Sequence, residues 1–261
     1  MLAAFLHHKY LLRELVSRDL RARYTGSIMG AFWSILNPFL QLLLYTVVFS
    51  VVLQIRLGER SSPVSFAEYL FCALLPWWAI QESVTRSCQS FIENANLIRK
   101  IRFPLAVLPS SVVSSAFLHQ LVGTAVFLVV LIFNRSLNLD YLPVVFLLFC
   151  VQLLMTYGLC LSVACLNVFF RDIAQLVGVG FTLLFWVTPI VYPKEKAGGS
   201  FRVLLDWNPL THMVEGYRLA YLGSPSPSLM GLLYWCLFSL AVYWAGKAIL
   251  RRTRSQLVDL L

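Results

Sequence analysis

Four residues, Ser34, Asn37, Gln41 and Tyr45, step by three, four and four positions and so share one helix face. Their hydroxyl, amide and phenol groups can hydrogen-bond to water, to a hydroxyl-rich solute or to another helix. They sit inside an apolar run, where a polar side chain facing lipid is costly, so this face must point at protein or water. Two readings stay open, helix–helix hydrogen bonding and one wall of a translocation path. A second polar set, Ser110, Ser111, Ser114, Ser115, His119, Gln120, Gly123 and Thr124, lies in another apolar run. The Ser110/Ser114 and Ser111/Ser115 pairs allow close helix approach, and His119 either packs or relays protons.

A third group runs from Ser90 to Pro104 and reads SFIENANLIRKIRFP. Phe91, Leu97, Ile98 and Ile101 could fill a hydrophobic groove, with Glu93, Arg99, Lys100 and Arg102 forming ion pairs around it, which is the composition of a docking helix. Its alternative is a short interfacial helix on lipid. The aromatics Trp77, Trp78, Phe181, Phe185, Trp186 and Tyr192 suit an interface belt, packing, or a surface on which sugar C–H faces stack. Trp77 and Trp78 follow Pro76 directly, where the second apolar run is expected to break.

Several chemistries are absent. There is no GxxxxGK[ST] loop for nucleotide phosphates, no HExxH and no GxSxG. An enzyme is not expected, and no cofactor or metal is expected on this chain. If transport here uses ATP, ATP and Mg must sit on a partner subunit. The six cysteines form no CxxC pair and read as small buried hydrophobes.

The elements that must position these groups are membrane spans. Of 261 residues, 59% are hydrophobic and only 13% charged, half of what soluble domains carry. The charges cluster between apolar stretches long enough to cross a bilayer, which needs about 20 residues. The fold class is an all-α membrane protein with six spans, at about 33–55, 66–84, 105–133, 142–170, 173–192 and 229–250. Residues 1–32 hold an N-terminal amphipathic interface helix, 33–250 the transmembrane domain and 251–261 a cytoplasmic tail. Six crossings put both termini on one side. With the termini inside, two-thirds of the 21 lysines and arginines are cytoplasmic, as the positive-inside rule asks. The net charge of +9 then meets anionic lipid headgroups, and nucleic acid is not expected as a partner. Residues near Met1 are interrupted by His7, His8, Lys9, Arg13 and Glu14, so no secretory signal is expected.

Before the first span, Leu11, Leu12, Leu15, Val16 and Leu20 share a face, with Glu14/Arg18 and Asp19/Arg23 as i,i+4 ion pairs. The basic face is expected to meet headgroups. After the fifth span, Pro209 can start a helix whose apolar face carries Leu210, Met213, Val214, Tyr217 and Tyr221. It could re-enter the membrane or lie on its outer surface.

Taken in order, these motifs resemble the membrane-spanning subunits of ABC-2-type exporters of O-antigen, capsule and teichoic-acid polymers. The resembling residues are Arg18-Asp19-Leu20-Arg21-Ala22-Arg23-Tyr24, Leu36-Asn37-Pro38, Leu74-Leu75-Pro76-Trp77, Glu93 through Lys100 with Phe103-Pro104, Asn167 through Asp172, Thr188 through Pro193 and Asn208-Pro209-Leu210. The resemblance implies a homodimer resting on two copies of a separate ABC ATPase subunit in the bacterial cytoplasmic (inner) membrane. It implies export of a polysaccharide, carried as a lipid-linked glycan; a smaller amphiphile such as a drug or lipid is the alternative, and an ion-coupled carrier or membrane enzyme is disfavoured. It assigns coupling to the ATPase to Glu93, Asn94, Asn96, Leu97, Arg99, Lys100 and Arg102. It assigns the channel to the first and fifth spans, here Ser34, Asn37, Gln41, Tyr45, Phe181, Phe185 and Trp186. It makes the segment holding Tyr192, Trp207, Pro209, His212 and Tyr217 an external re-entrant element.

Overall fold

The computed structural model describes residues 9–52, 65–100, 104–223 and 227–260, which are helical with no strand among them. Helix α1 (Lys9–Tyr24) precedes α2 (Trp33–Tyr45), which continues as wider π turns over Thr46–Val52. Then come α3 (Ser65–Glu93), the short α4 (Ala95–Lys100), α5 (Val107–Phe133), α6 (Leu142–Phe169) and α7 (Ile173–Val187). Helices α8 (Gly199–Trp207), α9 (Pro209–Leu222) and α10 (Leu229–Leu260) complete the chain. Ile101 and Arg102, and the basic residues Arg56 and Arg60, lie outside the described residues.

Among the described residues three helices, α5, α6 and α10, are long and apolar enough to cross a bilayer, and Trp33–Phe49 and Ile173–Val187 are shorter apolar helices. Helix α3 has 29 residues and departs from the sequence expectation. It runs unbroken through Pro76, Trp77 and Trp78 and continues nine residues beyond Val84 to Glu93. Its charged second half survives because α1 supplies the counter-charges: Asp19 pairs with Arg86, and Arg23 pairs with Glu82. Asp19 also meets Arg23 at 3.4 Å and Arg86 meets Glu82 at 3.2 Å, closing a four-charge ring. Asp19 and Arg23, expected as an i,i+4 pair, are therefore also turned onto α3, while Arg18 reaches Asn94 Oδ1 at 3.3 Å.

The main core gathers around α3, with α5, α6 and α9 against it. A second cluster at the α1/α4 end joins Leu15, Phe91, Ile98, Leu105, Leu108, Ala164, Cys165 and Leu257. Helices α6 and α10 cross at Gly158 and Gly246, so closely that a Cβ on Gly158 would lie 2.6 Å from the Tyr243 Cα. Only glycine permits that approach.

Candidate functional site

Helix α2 touches the bundle along one narrow edge, and Pro38 and Leu42 are its buried residues. The seat is Gly123 of α5, where a Cβ would fall 2.7 Å from Leu75 Cδ2 and 3.7 Å from Pro38 Cγ. With that edge inward, Asn37 and Gln41 are exposed, and Ser34 and Tyr45 are half-buried. The four share a face, as their spacing requires, and it is not packed away inside the protomer. Beyond Tyr45 an aromatic file continues through Phe49, Phe66 and Tyr69, with ring centroids 6.1, 5.1 and 6.3 Å apart.

The three aromatics of α7 do not act together. Phe181 is buried and Phe185 half-buried, each with its ring 5.7 Å from that of Trp77. Trp186 is 62% exposed. Phe181 thus serves α3–α7 packing and does not line an open face of the protomer.

At the α3–α4 corner, Asn94 carries the turn. Its carbonyl accepts from the Leu97 and Ile98 N–H groups, each at 3.0 Å, and its amide donates to Ser90 O at 2.9 Å. Together with Arg18 this makes Asn94 an internal brace. Phe91 and Ile98, expected to enter a partner's groove, instead fill this chain's second cluster, because α1 and α10 cover them. Leu97 is half-buried, whereas Ile92, Glu93, Asn96 and Arg99 face outward. Burial raises the Asp19 carboxyl nearby, but hydrogen bonds and charge from Arg86, with Arg23 behind, outweigh it and hold it below the ordinary carboxylate value.

The opposite end is built around α9. Asn208 caps it, its Oδ1 accepting from Leu210 N at 3.0 Å, with Pro209 in the first turn. The Asn208 amide also donates to Thr188 Oγ1 at 2.9 Å, tying the cap to the end of α7. Lys194 bridges Asp206 at 2.7 Å and Glu215 at 3.2 Å. Burial pulls the Lys194 ammonium down, and its two carboxylates raise it above its ordinary value. Asp206 is held low by Lys194. His212 is buried, its Nε2 2.9 Å from Asp206 O, and Tyr192 donates to Trp186 O at 2.7 Å. Trp207 is exposed and Pro209 half-buried.

Two features escaped the sequence reading. Arg218 is 1% exposed: its guanidinium lies 3.4 Å over the Tyr69 ring and donates to Ile190 O at 2.8 Å. Tyr217 donates to Gln152 Oε1 at 2.5 Å. Gln152 exchanges hydrogen bonds with Gln120 at 3.0 and 3.1 Å and donates to Pro76 O at 3.1 Å. This network joins α3, α5, α6 and α9. The only sequence signal for it was a glutamine near the middle of each of two apolar runs.

Comparison with known proteins bears on these features. The family model for the ABC-2 type transporter matches residues 10–222. The O-antigen export system permease protein RfbA of Klebsiella pneumoniae is 30% identical over 253 residues, covering 96% of this chain and 95% of that one. RfbA of Myxococcus xanthus is 30% identical over 259 residues, 97% and 95% of the two chains. The polysialic acid transport protein KpsM of Escherichia coli is 24% identical over 265 residues, 97% of each. With its helical bundle and membrane-capable spans, this chain belongs to the ABC-2 type transporter family.

Proposed function

We propose that this chain is the permease subunit of an ATP-driven exporter that moves a polysaccharide of the O-antigen class across a bacterial inner membrane. The observation that carries this reading is the polar face of α2, left open although a polar face in a lipid bilayer demands a wet or protein-lined neighbour. A second copy of the chain closing over that face would enclose a hydrated path. Hydroxyl and amide groups with the aromatic file beyond Tyr45 suit a long polar polymer, which needs many weak contacts and no tight site.

In this reading α2, α3, α5, α6, α7 and α10 are the six spans, and both termini face the cytoplasm. The corner that exposes Glu93, Asn96 and Arg99, continuing into Lys100 and Arg102, seats on the ATPase partner, which holds ATP and Mg. Nucleotide binding favours one arrangement of the partner pair, and the docked corner passes that preference to the spans. Helices α8 and α9 form the re-entrant exit.

The test is the stimulation of ATP hydrolysis by purified permease with its ATPase in lipid. Lipid-linked glycan is expected to stimulate hydrolysis; stimulation by small amphiphiles alone would sink the reading.

A further inference from the structure

Between α2, α3 and α5 lies a cavity of about 40 Å³, walled by Gln41, Trp78, Glu82, His119 and Gln120 and floored by Ala116. All five of these side chains carry hydrogen-bonding groups, set among the apolar Pro38, Leu75 and Ala79, an unusual convergence between helices that cross lipid. Gln120 already spends its amide on Gln152, and Glu82 meets Arg23 and Arg86 through Oε1. Gln41 and His119 supply the remaining polar character. Trp78 packs edge-on against Phe71 at 5.9 Å, which fixes its indole as a wall.

Size and charge decide the occupant. At roughly 10–15 Å³ of such volume per water, the space holds about three waters, or a group of three or four heavy atoms. A whole pyranose ring does not fit. The wall residue Glu82 belongs to a ring with Asp19, Arg23 and Arg86, two charges of each sign, so a charged ligand gains little from it. A neutral hydroxyl or amide gains directly. Gln41 belongs both to the cavity and to the open face of α2, so a solute moving along that face reaches the mouth.

We infer that this cavity is a wet side pocket that takes one exocyclic polar group, a hydroxymethyl or an acetamido, from a sugar unit of the translocated polymer. The inference rests on the polysaccharide reading and adds a selectivity element to it.

Two measurements test it. In a chain with Cys150 and Cys236 replaced by serine, His119→Cys should react with a charged methanethiosulfonate at least about tenfold faster than Leu121→Cys, because a thiol must ionise in water to react. Equal rates overturn the pocket. Gln41 is exposed, so Gln41→Leu should fold, and it should raise the half-saturating lipid-linked glycan for ATPase stimulation about three- to tenfold. The saturated rate should stay within about twofold, as expected for a contact made equally in the ground state and during transport. A responsive wild type with an unaffected Gln41→Leu overturns the pocket alone. A wild-type complex indifferent to every lipid-linked glycan overturns the export reading and the sugar assignment together.

Discussion

Two polar groups inside the membrane-spanning bundle use the same side-chain chemistry to opposite ends. Around Gln152, every amide valence is used: its oxygen accepts from Gln120 and Tyr217, and its nitrogen donates to Gln120 and Pro76. On α2, Asn37 and Gln41 are exposed within the protomer. A satisfied buried network rigidifies and specifies a packing. An open polar face on an apolar helix needs a partner or water to be stable. The difference separates a group that holds the bundle together from one that the protomer leaves exposed.

Three experiments sharpen or break that contrast. The largest effect on folding is expected from Gln152→Leu, which strands the Tyr217 hydroxyl and the Gln120 amide. The loss should be about 1–3 kcal/mol, read as a lower midpoint of thermal unfolding in detergent. Asn37→Leu should leave that midpoint in place and depress glycan export; equal midpoints for both variants would dissolve the distinction. Next is the four-charge ring. Asp19→Arg should weaken the seating of α1, and adding Arg86→Asp should restore it, with a coupling of about 1 kcal/mol in a double-mutant cycle. Absence of coupling would show that α1 is held by its apolar face alone.

The smallest effect concerns acid. Lys194 holds the Asp206 carboxyl below its ordinary value, so the stabilisation is complete above about pH 4 and is lost as pH falls through the lowered value. Protease cleavage in the 194–206 segment should therefore rise only in strong acid, and Asp206→Asn should give the acid pattern at neutral pH. Cleavage that climbs already between pH 7 and 5 would assign the sensitivity to another group.

Much of the fold was legible because apolar runs of bilayer length need no partner to be recognised. The amphipathic α1 and the Asn208-Pro209 start of α9 were legible for local reasons, helical periodicity and capping chemistry. What failed was everything settled by distant residues. Glu82 and Arg86 interrupt an apolar run, so α3 looked finished at Val84; their partners lie 67 positions away for Arg86 and Asp19. Phe91 and Ile98 looked like a docking surface because nothing nearby covers them, yet Leu15 and Leu257 do. Nothing local marks Arg218 as buried, since Tyr69, which receives it, is 149 positions earlier. Among the site residues, the α2 face was legible from spacing alone, while the fate of Phe181 depended on Trp77.

The charge ring also divides the protomer mechanically. Because α1 is clasped to α3, the two are held as one body, and on its N-terminal side α2 joins that body through the stretch 25–32, with Gly26 and Gly30 at positive φ. Helix α2 therefore hangs like a door on a short leash, resting on the bundle at Pro38 and Leu42. If the proposed path runs along its polar side, widening it asks that this leaf swing on its jamb, while the frame behind it stays rigid.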